Sequence, residues 1–278
     1  MMKKFKYSSK EFTISNLPST RKALFFDILK HKYKLVLLLG FVIFLFLIPA
    51  FVANISFDLF LNKISQDPNF VNGNVITDAG MQIYRSSIII FALCHVFTSL
   101  IAFIGLSGAM RVIRLLCWNE GLLFWDDFWI GIKQNIKQFL IFSIIYSLGT
   151  ILIYLSRIVS SPIFYGLSYG LTFAIINPLV IVILCYASTY SLKVGKILRN
   201  GFALYIKNFL LLLLFSLFTV LYYLLNFIPI PLVMYLVKLL GIIFLMPIFM
   251  LAVYLSLSNV FDKLINKTAH PELLNKGL

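Results

Sequence analysis

Long apolar stretches alternate with short polar connections along this chain. Six of them run from Leu35 to about Phe57, Ser87 to Met110, Phe139 to about Ser156, about Leu167 to Tyr190, Phe209 to Ile228 and about Val233 to Leu257. A helix crosses bilayer hydrocarbon with about 20 mostly apolar residues, give or take a few, and each stretch fits. The pattern predicts an all-α fold, a polytopic transmembrane bundle of six spans. Ser161-Pro162 reads as a helix cap and first turn ahead of the fourth span. Ile228-Pro229-Ile230-Pro231 reads as a tight return turn between the fifth and sixth.

The organisation that follows is a polar, basic leader over residues 1–34, a membrane domain over 35–258 and a tail over 259–278. The leader is too long for the n-region of a cleavable signal, and bulky Phe51 in Phe51-Val52-Ala53 fits a cleavage site badly, so the first span is expected to stay as an anchor. An outer segment over 58–86 carries turn signals at Asp67-Pro68-Asn69 and Asn72-Gly73-Asn74 and is expected to be a long loop.

Composition agrees with the pattern. With 61% hydrophobic and 12% charged residues, the 278-residue chain has too little charge to cover a water-soluble surface. A net charge of +14 would suggest nucleic acid in a soluble protein. Here the basic residues sit at the ends of apolar stretches, where they meet anionic lipid head groups, and no nucleic acid is expected. The leader, the second-to-third and fourth-to-fifth connections and the tail hold 20 of the 24 Lys and Arg residues, leaving Lys63, Arg85, Arg157 and Lys238 on the other side. Positive charge stays inside, so both termini are expected in the cytoplasm.

The three odd spans share an entry: His31-Lys32-Tyr33-Lys34-Leu35, Ile136-Lys137-Gln138-Phe139-Leu140 and Ile206-Lys207-Asn208-Phe209-Leu210, the last two preceded by Gly131 and Gly201. Spans four and six each carry a proline, Pro178 and Pro247. Three tandem hairpins with short interfacial helices would produce this; so would membrane pressure on any inward-to-outward helix. The second connection holds all three tryptophans, Trp118, Trp125 and Trp129. Apolar residues at 128, 129, 132, 136 and 139 mark one helical face, Asp126 and Asp127 fall at its start, and Lys133 and Lys137 on its polar side. This predicts a helix over about 126–138 lying in the interface, with Trp at head-group depth, bending into span three. It serves either as an anchor or as a contact for another protein.

Little chemistry is legible. Cys94, Cys117 and Cys185 make no disulfide framework, and His31, His95 and His270 lie too far apart to suggest a metal. All ten carboxylates fall outside the apolar cores, and no phosphate-loop, G-x-S-x-G or H-E-x-x-H motif is present. No cofactor is expected, and no enzyme. Within the spans, His95 is either a proton relay or ligand, or a histidine bonded to a neighbour such as Thr98 or Ser99. Asn177-Pro178 either kinks span four or frees backbone groups to line a cavity. Gly105, Ser107, Gly108 and Ala109 read as close helix packing.

The run from Gly105 through Arg111-Val112-Ile113-Arg114 to Trp125-Asp126-Asp127-Phe128-Trp129, Gly131, Lys133, Asn135 and Lys137-Gln138 resembles the YesL-like family of bacterial membrane proteins. Asn177-Pro178 to Tyr186 and Leu198-Arg199-Asn200-Gly201 resemble that family's second half. The chain departs from it in the long leader, the outer segment and Ile132 and Ile136, where the family often has Phe. The resemblance implies a bacterial cell-membrane protein that accompanies a transport or envelope system as a non-enzymatic accessory. The other reading of the residues is a small-solute permease or channel using His95, Asn177 and Pro178.

Overall fold

The computed structural model describes residues 18–72, 75–159 and 161–278, with Asn72, Val75 and Tyr223 described by their backbones alone. The first 17 residues of the leader and part of the Asn72-Gly73-Asn74 turn lie outside them. The described residues contain six helices long and apolar enough to cross a membrane: Tyr33–Gln66, Asp78–Cys117, Phe124–Val159, Pro162–Thr189, Phe209–Phe227 and Pro231–Ala269. This is the all-α six-span bundle that the apolar pattern predicts.

In chain order, α1 (Arg21–His31) precedes α2 (Tyr33–Gln66), then come a two-residue antiparallel ladder of β1 (Val71–Asn72) and β2 (Val75–Ile76), α3 (Asp78–Cys117) and α4 (Phe124–Val159). The fourth span is α5 (Pro162–Leu171), a π turn and α6 (Asn177–Thr189). After α7 (Val194–Lys207) and α8 (Phe209–Leu224), the sixth span is α9 (Pro231–Leu240), a π turn and α10 (Met246–Phe261). A further π turn and α11 (Lys267–Ala269) lead to the tail.

Two expectations change. Most of the outer segment 58–86 is helix rather than loop, because α2 runs on to Gln66 and α3 begins at Asp78. The Thr77 hydroxyl caps α3 by accepting from the Gly80 N–H at 3.1 Å. The true connection is the ladder and the turns at Asp67 and Thr77. Nor is the 126–138 segment a helix of its own: it is the beginning of the unbroken α4. Sharp kinks arise at prolines, Gly/Ser pairs and π-bulges, and residues 124–138 contain none of them. The separate short helices at this end are α1 and the amphipathic α7. Lys32 (φ −119°, ψ 18°) and Asn208 (φ −125°, ψ 31°) break them from α2 and α8 with nearly the same backbone geometry. Each odd-span entry packs on the end of an even span: α1 on α10, the start of α4 on α3, and α7 on α6. The six α-helical spans thus meet at one basic end in three related corners.

Prolines shape the two interrupted spans alike. The π turns Thr172–Ile176 and Gly241–Leu245 lie just before Asn177-Pro178 and Met246-Pro247. A proline lacks the N–H that its i−4 carbonyl would accept from, and its ring crowds that carbonyl. Pro178 so frees the Ala174 carbonyl, which accepts from the Tyr205 hydroxyl at 2.9 Å. The neighbouring Phe173 carbonyl accepts from the Ser216 hydroxyl. The corresponding Ile243 carbonyl in span six sits against Gly40 of α2, where a Cβ would lie 1.9 Å from its oxygen. Only glycine allows the two backbones to approach so closely.

Candidate functional site

The sequence-predicted cytoplasmic element forms the corner between α3 and α4. Asn119, at φ 53°, turns the chain in the left-handed region that asparagine tolerates, and its side-chain oxygen accepts from Lys32 Nζ at 2.9 Å. Gly131 packs on Arg111, where a Cβ would be 2.7 Å from the Arg111 Cβ, and Gly108 packs against the Phe128 ring and carbonyl. Arg111 then reaches Asp127: Nε and Nη2 donate to Oδ1 at 3.3 and 3.1 Å. Asp127 Oδ2 accepts from the Leu123 N–H at 3.0 Å, holding the first turn of α4, and Arg111 Nη1 donates to Gln134 at 2.8 Å. With 16% and 14% of their side-chain surfaces exposed, the two charges lock the corner.

The predicted site residues separate into two groups on this frame. Trp118 is half-buried: Lys276 Nζ stands 4.4 Å over its ring and the Arg114 guanidinium 4.9 Å. Trp125 and Trp129 instead remain 53% and 51% exposed. Together with Lys133 and Lys137, also exposed, they recur every four residues along α4, and exposed Asp126 lies beside them.

Their height matters. Trp129 and Trp125 precede Phe139, where the apolar run begins, by 10 and 14 residues. At about 1.5 Å per residue they stand roughly 15 and 21 Å beyond it along the helix. The head-group layer is only about 5–7 Å thick on each side. A tilt of about 40° shortens the projection by about a quarter. Counted from Phe139, both indoles stand farther out along α4 than the head-group layer is thick.

The tail closes the same end. Arg21 Nη2 pairs with Asp262 Oδ2 at 2.7 Å and Nη1 donates to the Lys276 carbonyl at 2.7 Å. Asn266 bridges Asp262 and the Tyr190 hydroxyl, whose phenol is pushed up by burial and stays a neutral donor. Lys276 also pairs with Glu120 at 2.8 Å. None of Arg111, Arg114, Arg21, Asp262 or Tyr190 stands out as a site residue in the sequence, because each partner is distant along the chain.

The intramembrane candidates do not form one site with the corner. His95 lies beside Tyr154 and Phe91, with ring centroids 6.0 and 6.2 Å away, and its Nδ1 has no partner. Thr98 donates to the His95 carbonyl, not to the ring, and Ser99 bonds the Val96 carbonyl and Ser147. Asn177 donates to Thr219 at 3.3 Å and leaves Oδ1 unpartnered. The carbonyls before Pro178 are met by Tyr205 and Ser216, so these backbone groups are satisfied within the bundle. No group of three metal-ligating side chains occurs among the described residues.

Comparison of the chain with family models, curated proteins and solved structures returned no match.

Proposed function

We propose that this six-span protein is a non-enzymatic accessory or assembly component of a bacterial transport or envelope system in the cell membrane. Both termini and the α3–α4 corner face the cytoplasm, where the partner docks on Trp125 and Trp129. The observation that supports this reading is the pair of half-exposed indoles on a braced helix, 10 and 14 residues ahead of the apolar run. Tryptophan is costly to leave in water and is enriched where proteins bury a contact. Lys133 and Lys137, nearer the apolar run, meet anionic lipid below the docking surface. The excess of Lys and Arg at this end supports the orientation, and the resemblance to YesL-like proteins supports the transport setting.

The test is affinity purification from the native membrane in mild detergent. A transport or envelope subunit held in stoichiometric amount by the natural protein, and lost on Trp125→Ala with Trp129→Ala, supports docking. Retention of that subunit by the double variant refutes it.

A second reading, a permease for a small solute, draws on the unpartnered His95 Nδ1 and Asn177 Oδ1 within the spans. It requires flux in proteoliposomes of the pure protein, lost on His95→Ala or Asn177→Ala.

A further inference from the structure

A cavity of about 440 Å³ opens at the basic end between α3, the early turns of α4 and the connection into α7, independent of the docking surface. Its wall includes Arg114, Gln134, Gln138, Ser188, Ser191 and Lys193, and no carboxylate lines it. Two of these residues hold buried polar atoms that nothing satisfies. Arg114 spends Nη1 on the Ser188 carbonyl, but its Nε donates to nothing. Gln138 spends Nε2 on the Leu192 carbonyl at 2.9 Å, and its Oε1 accepts from nothing. Among the described residues, the only other such atoms are those of His95 and Asn177, so two of four belong to side chains that line this cavity. Native structures leave few buried polar atoms unpaired, and each one invites a missing partner.

The donors and acceptors specify that partner. The Nε side of a guanidinium is the edge that grips an oxyanion through two parallel N–H bonds. Exposed Lys193 adds an ammonium at the rim. Beside it α7 starts with no side-chain cap, and its N-terminal dipole adds positive potential near this rim. Gln138 Oε1 asks for the opposite, a hydroxyl or other donor on the ligand. Gln138 immediately precedes the apolar run of α4, and Ser188 stands at the end of the fourth span, so the cavity lies at head-group depth.

We propose that this cavity binds a phosphate-bearing anion that also carries a hydroxyl, the chemistry shared by a phosphatidylglycerol head group and a free glycerol phosphate. The experiment uses the purified full chain in detergent. One arm compares phosphatidylglycerol with phosphatidylcholine by native mass spectrometry. The other titrates glycerol 1-phosphate against chloride at matched ionic strength by calorimetry. Selective, saturable binding in at least one arm is expected. It should weaken about tenfold or more with Lys193→Gln and with Ser191→Glu, which remove or oppose one charge-assisted contact. It should be unchanged by Lys207→Gln, an exposed charge on α7 outside the cavity. Arg114→Gln should lose binding altogether; if it fails to fold, the two exposed positions decide. Binding confined to the lipid arm assigns a head group, and binding of the soluble ester assigns a free ligand. No binding in either arm, indifference to Lys193→Gln and Ser191→Glu, or an equal loss from Lys207→Gln overturns the site.

Discussion

Replacing Asp127 with alanine removes both halves of the brace at once. The carboxylate takes two N–H groups of Arg111 and the Leu123 amide. A hydrogen bond to a charged group contributes about 1.5–3 kcal/mol net, and a cap about 1 kcal/mol. Partial water access, at 16% and 14% exposure, lowers the first term. We expect Asp127→Ala to cost about 2–4 kcal/mol, and a cycle with Arg111→Ala to show coupling of about 1–3 kcal/mol. Asp127→Asn, which keeps an acceptor for Leu123, should cost less. The assay is available in the chain itself, because Trp118, Trp125 and Trp129 all stand at this corner and are its only tryptophans. Intrinsic fluorescence during unfolding in detergent therefore reports the corner directly. Single changes that add to within about 0.5 kcal/mol would refute the brace.

Gly40→Ala tests the close approach of spans one and six. In an ordinary helix this change stabilises by about 1 kcal/mol, but here the Cβ meets the Ile243 oxygen at 1.9 Å. A lower melting temperature is expected, with a cost of about 1–3 kcal/mol from overpacking. Tyr205→Phe strips the cap from the Ala174 carbonyl, and an unfolding titration should show a loss of about 1–3 kcal/mol. Arg21→Ala strands Asp262, whose side chain is 8% exposed. Breaking such a buried pair costs about 3–5 kcal/mol in full, and limited proteolysis should find the residues after Asp262 cut faster. Brominated lipids should leave Trp125 and Trp129 emission nearly unquenched while acrylamide quenches it.

The spans were legible because hydrocarbon thickness imposes a length on every apolar run. Nothing imposes one on a helix that continues into water. That is why Asp58 to Gln66 and Asp78 to Arg85 read as loop: their polar residues sit on helix extended past the apolar runs. The turn signal at Asp67-Pro68-Asn69 was sound, and a turn is there. At the corner, Asp126 and Asp127 marked a helix start correctly, as dipole electrostatics requires. That this segment and span three form one unbroken helix was not legible, because periodicity reveals a face but not whether a helix is continuous. The pairings that make the corner and satisfy the proline break were hidden for a different reason. Arg111 meets Asp127 across 16 positions, Tyr205 meets Ala174 across 31 and Ser216 meets Phe173 across 43, and no local pattern joins them. Gly105 and Gly108 were legible as packing residues, but their actual neighbours, Phe46 and Phe128, were not.

The most direct test of docking places a photo-crosslinking p-benzoylphenylalanine at position 129 in place of Trp129, in living cells. Irradiation should join the chain to one transport or envelope subunit, in a product absent when the same group replaces buried Phe139. Crosslinking to lipid alone, or to no protein, would contradict the account and return Trp125 and Trp129 to the role of membrane anchors.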